Sequence, residues 1–197
     1  MTTTIAVLPR QAMDSALPQP GGFRRETEFW RHRWTLRLQP MDRALAEADV
    51  TVKQPIAYAV VRRGDQWLVM ERLQGGAEAR LHGSWTLGVG GHVDHPWNQA
   101  DPVWQAMLRE WEEEVQCSAP PRWRWLGVVN DDGVAVGVHH VGFVWRVDLP
   151  ADAEVTMREP HKLACHWRRV DEILPHLDRL ESWSRFVLEA LMTEEGP

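Results

Sequence analysis

The run Arg109-Glu110-Trp111-Glu112-Glu113-Glu114 sets four carboxylates within five consecutive positions. Read as a helix, it places Glu110, Glu113 and Glu114 at i, i+3 and i+4, so their side chains share one stripe and repel by roughly 0.2–0.5 kcal/mol per pair. The stripe lies toward the helix C-terminus, where the macrodipole disfavours anions. A merely solvated acidic face gains nothing from this crowding, whereas a hard divalent cation turns the repulsion into ligation. Sequences break local rules in this way where a functional site demands it. Arg109 is within reach of Glu112 and Glu113 and can hold one carboxylate while others bind metal.

The helix that carries the stripe has a legible start. Asp101 is a good N-cap and Pro102 suits the first helical position, so the helix is predicted to run from about 102 to 116. Val103, Trp104, Met107, Leu108, Trp111 and Val115 then form an apolar arc that faces a sheet. Upstream, Leu87-Gly88-Val89-Gly90-Gly91-His92-Val93-Asp94 reads as a strand running into paired glycines, where backbone can approach a phosphate or a metal closely. Residues 56–62 and 67–70 read as a hairpin turning at Gly64-Asp65. Further strands are expected over 84–91, 123–129, 140–147 and 164–170, with closing helices over 171–177 and 181–192. Strands flanked by helices predict a sheet between helical layers. Residues 1–22, rich in Thr, Pro, Gln and Gly, read as a mobile tail. Residues 23–52, with the aromatic-basic clusters Phe29-Trp30-Arg31 and Arg33-Trp34, read as an extension packing on the core or on a partner subunit, ahead of a main domain over 53–193.

From Gly91 to Cys117 the residues resemble the signature of the Nudix hydrolases: Gly, five residues, Glu, seven residues, then Arg-Glu-apolar-any-Glu-Glu-any-Gly-apolar. Arg109, Glu110, Trp111, Glu113 and Glu114 match its second half. Asp101 stands where the first Glu belongs, His95-Pro96-Trp97-Asn98-Gln99 looks like an insertion, and Gln116 replaces the closing glycine, so the turn is expected at Cys117-Ser118-Ala119-Pro120. Lys53-Gln54-Pro55-Ile56-Ala57-Tyr58, Leu81-His82-Gly83-Ser84-Trp85, Gly90-Gly91-His92, Val129-Asn130-Asp131-Asp132 and Leu180-Glu181-Ser182-Trp183-Ser184 further resemble a bacterial Nudix subgroup of predicted phosphoesterases.

The resemblance implies an α/β/α sandwich with a central mixed β-sheet, here with an N-terminal extension. It also implies a metal-dependent hydrolase that cleaves a phosphoanhydride bond in a nucleoside diphosphate linked to another group, or in a related nucleotide. Glu110, Glu113 and Glu114, with the Gly90 or Gly91 carbonyl, would hold Mg²⁺ or Mn²⁺. Among the family's roles, Glu113 also maps to base chemistry and Arg109 to an orienting ion pair. A general base outside the signature falls on Glu159. Arg72 or Arg80, His92 or His95, and Trp97 in the inserted loop are the candidates to touch substrate, against their ordinary roles as surface or core residues. An isopentenyl-diphosphate-isomerase-like enzyme, which needs a pocket cysteine, and a non-catalytic nucleotide sensor are the alternatives.

A net charge of −6 and a pI near 5.8 argue against nucleic acid as a partner. No apolar run is long enough to span a membrane, and the first residues lack a secretion signal, so a cytoplasmic enzyme with a small phosphorylated substrate is expected. Family resemblance and the aromatic extension point to a homodimer. Cys117 and Cys165 have neither metal-type spacing nor a disulfide framework and read as packed thiols.

Overall fold

The computed structural model describes residues 3–13, 17–73, 83–97, 100–158, 161 and 163–195. In chain order its elements are β1 (Thr4–Pro9), β2 (Gly21–Arg25), α1 (Glu28–Thr35), β3 (Gln39–Asp42), α2 (Arg43–Ala48), β4 (Val52–Arg63), β5 (Gln66–Arg72), β6 (Trp85–Thr86), β7 (Gly88–His92), α3 (Pro102–Glu114), β8 (Val115–Cys117), β9 (Arg122–Asp131), α4 (Ala135–His139), β10 (His140–Leu149), β11 (Val155–Met157), β12 (Leu163–Arg169), α5 (Val170–Ile173) and α6 (Ser182–Glu195).

β4 is the spine of a mixed sheet. β10 runs parallel to it from Gln54↔His140 to Arg63↔Leu149. β7 pairs antiparallel with its middle, from Ile56↔His92 to Val60↔Gly88, and β5 takes over at Arg62 and Arg63, where the hairpin turns through Gly64 at φ +58°. β9 and then β2 extend the sheet beyond β10, and β12 extends it beyond β5. The single strand expected over 84–91 divides at Leu87, whose N–H donates to Ser184 Oγ at 2.9 Å instead of to a neighbouring strand. β6 therefore pairs with β5 and β7 with β4.

The alternation of side chains along β4 sorts the core into two layers. Ala57, Ala59 and Val61 pack with Val103, Met107 and Trp111 of α3 and Trp34 of α1. Tyr58 and Val60 pack on the other face with Val187, Leu188 and Leu191 of α6. The result is the expected α/β/α sandwich. Its α3 face carries a continuous aromatic ribbon, in which Trp111 meets Trp123 at 5.3 Å, Trp123 meets Trp104 at 5.1 Å, Trp104 meets Trp145 at 5.6 Å and Trp145 meets Trp125 at 4.9 Å between ring centroids. Phe143 then links Trp125 to Trp34, which stacks on Trp30.

Two further expectations are corrected. The segment read as a mobile tail over 1–22 instead supplies β1, in which Ile5, Ala6, Val7 and Leu8 are all buried. Ala6 and Leu8 enter the main core, while Ile5 and Val7 pack against Ala46 of α2 and Val52. Met13 and Leu17 are buried as well. The carboxylate-bearing helix ends at Glu114, not at 116, because Val115 is already extended (φ −113°, ψ 134°) and begins a ladder with β11. A left-handed stop is not needed there, which explains why Gln116 can replace the signature glycine; the chain bends at Ser118 and Ala119, within the expected turn, only after β8.

Candidate active site

α3 is fixed at its N-terminus before any charge is placed. Asp101 Oδ1 accepts the Trp104 N–H at 3.1 Å, and Pro102 occupies the first turn. The other Asp101 oxygen pairs with Arg31 of α1, whose guanidinium lies 5.5 Å from the ring centroids of both Trp125 and Trp145. The residue that stands in place of the signature's first Glu thus caps the helix and ties it to the N-terminal extension.

At the other end, β7 and α3 meet through glycine. A Cβ at Gly91 would sit 2.4 Å from Glu110 Oε1, so the bare backbone is what lets that carboxylate lie against the strand. Gly90 has φ +149°, and a Cβ there would strike the Ala57 carbonyl oxygen at 1.8 Å. Arg109 gathers the charges: its Nη2 lies 2.7 Å from Glu110 Oε1 and 3.1 Å from Asp94 Oδ2, its Nη1 lies 3.0 Å from Glu113 Oε2, and Nη2 donates to the His92 carbonyl at 2.8 Å. Asp94, which sequence reasoning passed over, therefore joins the cluster, and the exposed Glu112 is not part of this set.

The carboxylates differ in setting. The Glu110 side chain is 12% exposed and that of Glu113 57%. Burial raises the pKa of Glu110 above the usual glutamate value, opposed by Arg109. Glu114 is half-buried at the helix end, where its carbonyl accepts the Arg158 N–H at 2.8 Å. Among the described residues, no three His, Cys, Asp or Glu side chains form a ready-made cation cage, and Arg109 supplies the positive charge between Glu110 and Glu113.

The remaining candidates are dispersed. The ring of His92 lies on the sheet face opposite Glu110, as alternation from Gly91 requires. There its Nε2 is 3.0 Å from Gln54 Oε1 and 3.3 Å from His140 Nε2. Burial, followed by the charge of Arg43, depresses its pKa to about 4. Trp97 packs partly into the α3-face core and meets His95 edge-on at 5.0 Å. Arg72 belongs to another cluster, with its Nε 2.6 Å from Glu181 Oε1. Glu159 and Arg80 lie outside the described residues.

Below the histidines, fully buried Lys53 donates through Nζ to Asn130 Oδ1 at 2.7 Å, Asp132 Oδ1 at 2.6 Å, the Gly137 carbonyl at 2.7 Å and the His140 carbonyl at 3.2 Å. The available signal was the placing of Lys53-Gln54 and Asn130-Asp131 at the ends of otherwise apolar strands.

The family model of the NUDIX domain matches residues 52–191. The chain belongs to the Nudix family. It is 38% identical over 158 residues to Protein YmaB of Bacillus subtilis strain 168, covering 77% of each chain. Its fold matches that of Tm1382 with a TM-score of 0.81, 23% identity and coverage of 96% of this chain and 98% of that one. A bifunctional NMN adenylyltransferase/ADP ribose pyrophosphatase from Francisella tularensis, complexed with AMP and a Mn ion, shares the Nudix fold at a TM-score of 0.55 and 18% identity, over 73% of this chain and 42% of that one. Nudix membership carries hydrolase chemistry with it. No helix among the described residues is long and apolar enough to cross a membrane.

The donor set fits a hard divalent cation. It offers carboxylate oxygen from Glu110, Glu113 and Glu114 on one helical stripe, beside a strand whose glycines leave the backbone open to approach.

Proposed function

We propose that this Nudix protein is a pyrophosphohydrolase dependent on Mg²⁺ or Mn²⁺, cleaving a phosphoanhydride bond in a nucleoside diphosphate linked to another group or in a related nucleotide. The observation that carries the reading is the seat of Glu110 on Gly91, which brings the head of the carboxylate stripe against the glycine strand. The Mn and AMP of the Francisella neighbour agree with the cofactor and substrate class.

Glu110, Glu113 and Glu114, with a carbonyl from Gly90 or Gly91, would hold the cation. When bound, it neutralises phosphate charge and lowers the pKa of a coordinated water. Arg109 keeps Glu110 and Glu113 apart from each other and in place. Asp101, pinned by Arg31, fixes the helix that presents them. Glu113, the most exposed of the paired carboxylates, accepts the proton of the attacking water, with Glu159 as the second candidate base. The new bond joins water oxygen to phosphorus while the bridging P–O bond breaks and its electron pair leaves with the departing phosphate. Trp97 borders the α3 face and is the candidate to contact the organic part of the substrate.

The isomerase alternative needs a reactive thiol. Burial pushes the Cys165 thiol up to about 11, which opposes that role.

The test is Glu114→Gln assayed against nucleoside di- and triphosphates, sugar nucleotides, dinucleoside polyphosphates and prenyl diphosphates. Mg²⁺-dependent release of phosphate should fall by about 10²-fold or more, with the near-UV circular dichroism unchanged. Undiminished turnover in this variant overturns the assignment, and binding without release from any substrate favours a sensor.

A further inference from the structure

On the face of the sheet away from the carboxylates, three adjacent strands end in nitrogen and oxygen donors: Gln54 of β4, His92 of β7 and His140 of β10. We propose that His92 and His140, with the Gln54 amide oxygen, form a second cation site, selective for a borderline divalent transition ion of the Zn²⁺ type and separate from the carboxylate stripe.

The distances fit. Two imidazole nitrogens, each about 2.05 Å from a shared Zn²⁺ ion, lie 3.3 Å apart when the angle between them is roughly 107°, close to tetrahedral, and 3.3 Å is the separation of His92 Nε2 from His140 Nε2. The 3.0 Å between His92 Nε2 and Gln54 Oε1 corresponds in the same way to an angle of about 90°.

The supporting shell fits as well. His140 Nδ1 is 2.6 Å from the Val136 carbonyl oxygen, which accepts its proton. That bond fixes the tautomer and leaves the lone pair on Nε2, the arrangement usual for a metal-bound imidazole backed by a carbonyl. Gln54 is fully buried, with its oxygen toward His92 and its Nε2 without a hydrogen-bond partner.

A simple N–H···N bond from His92 to His140 is the competing account of the 3.3 Å distance. In that account the same His92 Nε2–H also donates to Gln54 Oε1 at 3.0 Å, so the two readings share these distances and the titration below separates them.

Both rings are half-buried, beside α4, so the site can be reached from solvent. Among the described residues no His, Cys, Asp or Glu adds a third side chain of those types, so water completes the set. Imidazole donors select Zn²⁺, Co²⁺, Ni²⁺ or Cu²⁺ over Mg²⁺, which keeps this site distinct in chemistry from the oxygen-only stripe. A bound ion would staple β4, β7 and β10 together at the end of β7 where the His92 carbonyl receives Arg109.

The experiment uses the full chain, stripped of metal and held in millimolar Mg²⁺ so that the carboxylates are supplied. Titration with Co²⁺ should give visible absorption bands that saturate at one ion per chain and are displaced by Zn²⁺. His92→Ala and His140→Ala should each weaken binding at least about tenfold. Glu114→Gln should bind as wild type does, which separates this proposal from the catalytic one. Because either histidine variant could unfold locally, the imidazole resonances of the unaltered protein give a second measurement: two of the nine histidines should shift on Zn²⁺ addition. Lack of saturable Co²⁺ binding, retention of full affinity in both histidine variants, or shifts confined to other histidines overturns the proposal.

Discussion

A single methyl group should be enough to unseat Glu110. Gly91 has none of the positive φ that marks Gly90, so alanine is conformationally acceptable there, yet its Cβ would fall 2.4 Å from Glu110 Oε1. Gly91→Ala is therefore expected to keep a melting temperature within a few degrees of wild type, since the Glu110 carboxylate can swing outward. Its kcat should fall by about 10²-fold, the usual consequence of displacing a reacting group by about 1 Å. Paired kinetic and thermal measurements check this, and a large loss of stability with normal turnover would contradict it. At this scale the sequence was informative about charge and silent about direction. The stripe of Glu110, Glu113 and Glu114 follows from helical spacing alone. The turning of His92 to the opposite face follows from strand alternation beside Gly91, but the recruitment of Asp94 by Arg109 depends on how β7 is set against α3, and no local pattern encodes that.

Among the elements, the tie between the sheet and α6 is sensitive to alkaline pH. Tyr58 OH is 2.9 Å from Ser184 Oγ, and burial pushes its pKa up to about 12. An acid whose pKa is raised in the folded state holds its proton longer there than in the unfolded chain, so stability falls as pH rises from about 10, the unfolded value, toward 12. Tyr58 is the only tyrosine in the sequence, so tyrosinate absorbance reports it alone and should appear together with unfolding, with no separate step near pH 10. In Tyr58→Phe the alkaline loss of stability should be smaller. A second element-scale prediction concerns Lys53, whose ammonium is held below the usual lysine pKa by burial, with Asp132 opposing. Lys53→Met leaves Asn130 Oδ1 and the Gly137 and His140 carbonyls without their donor, while Asp132 keeps Arg10, and should cost on the order of 1–3 kcal/mol in denaturant unfolding. The hairpin of β4 and β5 was legible because glycine and alternation are local signals. The division of β6 from β7 and the early end of α3 were not, because each is decided by a partner distant in sequence: Ser184 for Leu87, and Met157 for Val115.

Taken as one body, the protein depends on its first residues. Ile5, Val7 and Leu8 are completely buried, and each such side chain contributes roughly 1.5–3 kcal/mol by leaving water. Their sum is comparable with the whole stability of an ordinary domain, about 5–15 kcal/mol. A chain lacking residues 1–13 should therefore show no cooperative thermal transition and little near-UV circular dichroism, whereas a native-like melt would mean that β1 is dispensable. The layered architecture could be read from the order of strands and helices. The role of Thr4–Pro9 could not, because an apolar run this short, ahead of a region rich in Pro and Gln, looks the same whether or not a sheet edge awaits it. The aromatic ribbon has an optical consequence. With neighbouring indoles 4.9 to 5.6 Å apart from Trp111 to Trp125, excitation absorbed near the carboxylates can migrate along that run before it is emitted. Trp30, stacked on Trp34 and 40% exposed, lies beyond Phe143 from that run, so a dissolved quencher should dim α1 while the light captured at α3 stays shielded.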